Sequence, residues 1–260
     1  MSEFDIARGF PGGIPPIPTD HAVKRVVAFC CSPRSGWRSY DLAGAAARAA
    51  GHFDTVAPWS LLWADALAGR LSVDDLDGFS LERRTTFAER ISAVPAAKDL
   101  AVFDESEREA VRNLCTFGYP GVWAPKSTKV SSLYRPHAVP VLDGYVAMAF
   151  GFNRTDFSEG KAPRWNRIAR VIDALAAYLD EHRDQMIELR ETARVSVRDI
   201  DVASDLRLLD IVIWCSQDDF LERPGKKRNG WLDSPNGAYE PDPVTPIPVT
   251  TGGDQKERCR

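Results

Sequence analysis

Through most of the chain, apolar residues recur every three or four positions, the spacing that gathers them on one face of a helix. The longest such run, residues 164–190, aligns Trp165, Ile168, Ile172, Leu175, Leu179, Met186 and Leu189, with Arg167, Arg170, Glu181 and Arg183 elsewhere around the wheel. That pattern predicts one amphipathic helix. Residues 39–50 (SYDLAGAAARAA) have high helix propensity and stop at Gly51, a suitable C-cap. Pro58 is placed to open a further helix with Trp59, Leu62, Trp63, Ala66 and Leu67 on one stripe. Ser72 begins a short capped helix, and the acidic turn after Asp104 begins another that runs to Cys115. Residues 205–217 (DLRLLDIVIWCSQ) are apolar almost all round, as in a central buried helix, although the β-branched IVIW stretch also suits a strand. Val23 to Cys31 is the other strand candidate.

There is no alternation of strand and helix patterns, no Gly-rich phosphate loop and no internal repeat, so the expected fold class is all-α. Periodicity fades at both ends. Residues 1–20, rich in Gly and Pro, read as a disordered leader; residues 21–223 form the helical domain; residues 224–260 read as a Pro-rich tail able to dock a protein partner.

With 260 residues the chain can bury a sizeable core. No run approaches the roughly 18–20 apolar residues of a membrane span. The N-terminus lacks the basic start and apolar stretch of a signal peptide, so a cytoplasmic location is expected. Five cysteines without C-x-x-C spacing, and four histidines none of which neighbours a cysteine, suggest idle thiols, no metal and no cofactor.

Charge adds one local feature. The net charge is −4, yet residues 110–142 contain no Asp or Glu while Arg112, Lys126, Lys129 and Arg135 fall inside. Such a window is either a specific anion site or a buried segment that excludes carboxylates for packing reasons. Within it, the helix ending near residue 116 meets Gly118, Pro120 and Gly121, and Pro125 opens the next segment with Lys126, Ser127 and Thr128. A tight turn followed by a helix N-terminus offers unpaired amides to a phosphate, and Lys126 and Lys129 supply charge. Past a proline-bounded link comes Asp143, an acid at the start of another helix.

This stretch resembles the helix-hairpin-helix DNA glycosylase superfamily. Pro120-Gly121-Val122 is similar to the start of that hairpin, Lys126-Ser127 to its K-T pair, and Val141-Leu142-Asp143 to its acidic position. Thr128-Lys129 followed by Arg135 to Asp143 also resembles an uncharacterised, mostly actinobacterial family associated with the same fold. The resemblance implies a helix-hairpin-helix element that binds duplex DNA through Gly121, Ser127, Thr128, Lys129 and Arg135. It further implies cleavage of the N-glycosidic bond of a damaged or modified base, with Asp143 and Lys126 as the catalytic pair.

In that chemistry a carboxylate beside the anomeric carbon stabilises the positive charge that develops on the sugar, and a lysine amine can form a Schiff base there. The base must leave the helical stack for a pocket, and Tyr119, Trp123, Tyr134, Tyr145 and Phe150 are candidate walls. Plainer readings stand beside these. Asp143 is equally suited to an N-cap, Lys126 and Lys129 to a solvated helix face, and Asp210 to a buried pair with Arg207 or a distant arginine, or else to a second acid of the pocket. At the level of function, the alternatives are a DNA-binding module without chemistry, or an interaction component of a defence or toxin system.

Overall fold

A computed structural model describes residues 3–32, 35–158 and 163–220. Its elements are almost all helical: α1 (Thr19–Cys31), a π-helical turn (Trp37–Leu42), α2 (Ala43–Ala49), a 3-10 helix (Pro58–Leu67), α3 (Val73–Asp77), α4 (Leu81–Ala93), α5 (Glu105–Cys115), α6 (Ala124–Tyr134), α7 (Gly144–Ala149), α8 (Pro163–Glu181), α9 (Arg183–Arg194) and α10 (Asp205–Phe220). The class is all-α. No helix among the described residues is long and apolar enough to cross a membrane.

Capping fixes several of these helices. Ser72 and Asp104 each accept the third helical N–H through the side chain, while Asp75 and Glu107 reach back to the cap residue. Residues 23–31 are helix rather than strand. Ala22, Val26, Phe29 and Cys30 are buried at helical spacing, and that burial outweighs the β preference of the valines. α10 lies at the centre, packed against α1 and α7, with Leu206, Leu208, Leu209, Ile211, Val212 and Ile213 all buried. Its β-branched residues follow the helix because every face has an apolar neighbour to meet.

Two further expectations change. The long helix over 164–190 is broken at His182, whose backbone (φ −121, ψ 34) leaves the helical region. No glycine or proline marks the break; the Tyr178 hydroxyl bonds Gln185 Oε1 across it at 2.6 Å. The expected disordered leader is instead packed in place from residue 3. Strands β1 (Glu3–Phe4) and β2 (Ile17–Pro18) pair antiparallel, and Phe4, Ile6, Ile14 and Ile17 enter the single core, with Phe4 stacked on Tyr178 at 6.0 Å. These four apolar side chains, spaced along a Gly/Pro-rich stretch, help hold it against the helices despite the absence of helical period. The expected Pro-rich tail lies outside the described residues.

Candidate active site

α5 and α6 flank the turn Tyr119-Pro120-Gly121-Val122, in which Tyr119 and Val122 exchange backbone hydrogen bonds of 2.7 and 2.8 Å. Pro followed by Gly at φ +88 is the order that a type II turn requires. The anion position at this turn is already taken. A Cβ at Gly121 would lie 2.1 Å from Asp75 Oδ1, so the glycine backbone rests against a carboxylate of the chain itself. Lys126 Nζ donates to Asp75 Oδ2 at 2.6 Å, and Ser72 N to the same oxygen at 2.8 Å. Burial disfavours the Asp75 carboxylate, but Lys126 and Ser72 outweigh it and hold its pKa below the usual range. Lys126 therefore closes an internal ion pair and is not among the residues that meet Asp143.

The neighbouring positions turn inward as well. The Ser127 hydroxyl donates to Phe117 O at 3.0 Å and is buried. The Thr128 hydroxyl donates to Ala124 O at 2.6 Å and accepts the Leu142 N–H at 3.0 Å. Neither is exposed to a DNA backbone. Arg135 spends Nε on Val94 O (2.7 Å) and Nη1 on Tyr134 O (2.9 Å), away from Asp143. The carboxylate-free window thus owes much of its character to packing, because α6 is buried along nearly its whole length.

Lys129 is different. It shares with Asp143 a cleft of about 530 Å³ that is walled by Phe29, Leu67, Val141 and Trp214 and floored by Arg207 and Asp210. The Thr128–Leu142 bond fixes the approach. It ties α6 to the link before α7 one residue from each of the two functional side chains. Asp143 caps α7, its Oδ1 accepting the N–H groups of Tyr145 (2.9 Å) and Val146 (3.1 Å). Among the described residues its Oδ2 takes no hydrogen bond. Lys129 Nζ donates to Leu67 O at 2.5 Å, and burial pulls its pKa down against the opposing pull of Asp143 and Asp210. Phe29 and Trp214 stand 6.0 Å apart at 73°, and Tyr145 meets the Trp214 edge at 5.4 Å.

The floor is a charge cluster. Arg207 grips both oxygens of Asp41 (2.8 and 3.0 Å) and also donates to Asp210 Oδ2. Asp41 reaches this point from the π-helical turn, a wide turn that often marks functional positions. Desolvation pushes the Asp210 carboxyl up to about 7, Arg207 offsetting this only in part and Asp143 adding to it. Arg207 is held charged, since two acids outweigh the cost of burying it. Both pKa values rise, which favours charge on Arg207 and neutrality on Asp210, because Arg207 has two acids to itself whereas Asp210 has a share of one arginine. Across the lip, Ala68 (φ 55) and Arg70 (φ 53) hold the left-handed backbone that non-glycine residues seldom adopt.

Of the sequence candidates, then, Lys129 and Asp143 come together, while Lys126, Gly121, Ser127, Thr128 and Arg135 do not join them. Asp210 does pair with Arg207, as its burial required. Tyr119, Tyr134 and Phe150 are core residues, and Tyr145 alone of the aromatic candidates reaches a cleft wall. Phe29, Asp41 and Trp214 were not anticipated. One signal was present: Arg207, Asp210 and Trp214 stand at i, i+3 and i+7 on an otherwise apolar helix, a single functional stripe. Among the described residues no group of three or more His, Cys, Asp or Glu could hold a metal ion.

No curated protein and no solved structure matches the chain. A family model does: a family of unknown function, DUF6308, matches residues 36–217.

Proposed function

The chain belongs to that family of unknown function, and we propose that its cleft receives a nucleobase extruded from DNA and hydrolyses the N-glycosidic bond that holds it. One observation carries the reading: the Lys129 amine and the free oxygen of Asp143 line the same aromatic-walled cleft, with Asp210 beneath them. The volume suits a flat heterocycle with part of its sugar, and Trp214 and Phe29 supply faces against which a base can lie. Asp143 sits where a carboxylate can stabilise the positive charge growing on the sugar and orient water toward the anomeric carbon. Lys129 has N–H groups beyond the one given to Leu67 O, and these can hold a sugar or phosphate oxygen. The chemistry matches the resemblance in the sequence, with Lys129 in place of Lys126.

The test is base release from duplex DNA bearing damaged or modified bases. Asp143→Asn is expected to bind as the parent does while losing at least about 100-fold in release. Release at the parent rate removes Asp143 from the chemistry.

A second reading, a nucleic-acid-binding module without cleavage, is supported by the N–H groups that Lys129 keeps beyond its bond to Leu67 O, which can hold a phosphate with no chemistry following. It predicts binding weakened by Lys129→Ala and no base release from any substrate.

A further inference from the structure

Resting on the N-glycosidic reading of the cleft, we propose that Asp210 is the general acid that protonates the departing base, with Arg207 and Asp41 as the positioning residues that hold it. Asp143 and Asp210 line one cleft in contrasting surroundings. Asp143 accepts two backbone N–H groups at the half-buried start of α7. Asp210 is nine-tenths buried in the middle of an apolar helix, takes one arginine contact on Oδ2, and has no hydrogen-bond partner on Oδ1 among the described residues. Two carboxyl groups held in such different surroundings can divide the work of acid and base between them.

The surrounding titratable and charged groups are Tyr40 and Asp41 from the π-helical turn, Lys129 from α6, Asp143 before α7 and Arg207 on the same helix, with Cys30 of α1 and Arg48 of α2 beside Asp41. Arg207 is committed to both oxygens of Asp41, so its contact with Asp210 fixes the direction of the carboxyl without compelling it to ionise. Burial and the Asp143 charge together raise the Asp210 carboxyl to about 7, so that a large share of it carries a proton in neutral solution. A smaller cavity of about 20 Å³, enough for one water, shares Val141, Arg207 and Asp210 with the cleft.

The step balances as follows. The bond from the anomeric carbon to the base nitrogen breaks, and its electron pair goes to the base. The Asp210 Oδ1 proton moves to a ring atom of the base, which leaves neutral. Water adds its oxygen to the anomeric carbon and gives one proton to Asp143. Asp210, now a carboxylate, regains a proton from solvent as Asp143 releases its own.

The experiment compares a neutral base with one that leaves without protonation. Full-length chain and Asp210→Asn are assayed on duplexes carrying uracil or the cationic N7-methylguanine. Asp210→Asn is expected to lose about 100-fold or more on uracil and to release N7-methylguanine within a few-fold of the parent. On uracil the parent should also show activity falling as pH rises through about 7, a limb missing on the cationic base. Asp41→Asn should shift that limb to lower pH, because removing a neighbouring negative charge eases ionisation of Asp210. Equal loss on both bases, or none on either, overturns the assignment and leaves the cleft's reading intact. A parent that releases neither base overturns the reading and the assignment together. Carboxyl NMR of the full-length chain supplies a readout free of activity: a group titrating near neutrality, absent from Asp210→Asn, is expected. An Asp210 that titrates in the ordinary carboxylate range overturns the proposal whatever the enzyme does.

Discussion

Two lysines three residues apart do different work, and their substitutions should separate cleanly. Lys126→Ala deprives the buried Asp75 carboxylate of its partner, at a cost of about 1.5–3 kcal/mol in urea melts. Because Lys126 does not line the cleft, base release by the folded variant should match the parent. Lys129→Ala should do the reverse, lowering release and substrate affinity with a smaller change in stability, since its alanine gives up one bond to the Leu67 carbonyl. If borohydride traps a covalent adduct with DNA, that adduct should vanish in Lys129→Ala and persist in Lys126→Ala. The pattern of the sequence placed both lysines in a carboxylate-free window. It carried no sign that Asp75, fifty-one positions away, would claim the first of them.

Among the elements, the α5–α6 turn and the α6–α7 link carry the most consequence. At Gly121 any side chain meets both a left-handed backbone and the Asp75 carboxylate 2.1 Å from its Cβ. Gly121→Ala should therefore destabilise the fold by at least about 1–2 kcal/mol, read from the midpoint of chemical unfolding. The Thr128 hydroxyl joins α6 to the chain before α7. Thr128→Val keeps the volume but leaves the Leu142 N–H buried and unpaired, at a cost of about 1–3 kcal/mol. Its base release should fall with little change in affinity, because Asp143 loses its alignment and the cleft walls stay in place. Helix existence in this region was legible from proline, glycine and the acid at position 143. That Ser127 and Thr128 face inward was not, because their hydroxyls satisfy themselves on the preceding turn and on Leu142, which makes polar residues fit for burial.

Across the whole molecule, two acids give opposite pH dependences. Asp210 is neutral in the folded chain up to about 7 but ionises near 3.9 when unfolded. The unfolded state therefore holds fewer protons between those values, and stability should fall as pH rises through this window. Asp210→Asn should flatten the fall in thermal melts taken at stepped pH. Asp75, with a lowered pKa, contributes stability above the ordinary carboxylate range and loses it as pH drops through its folded value. The N-terminal segment belongs to the same core: Phe4→Ala, which unseats the ring from Tyr178, should cost about 3–5 kcal/mol. Local pattern by itself determined the helical class, most helix starts and the burial of α10, because helical period, caps and turn residues act over a few positions. It also marked Asp210 as an acid in need of a partner. Only the tertiary structure decided that the leader packs, that residues 23–31 coil into a helix, and which lysine meets Asp143. Those outcomes depend on contacts between segments dozens of residues apart, where burial and charge are set by whatever the fold brings alongside.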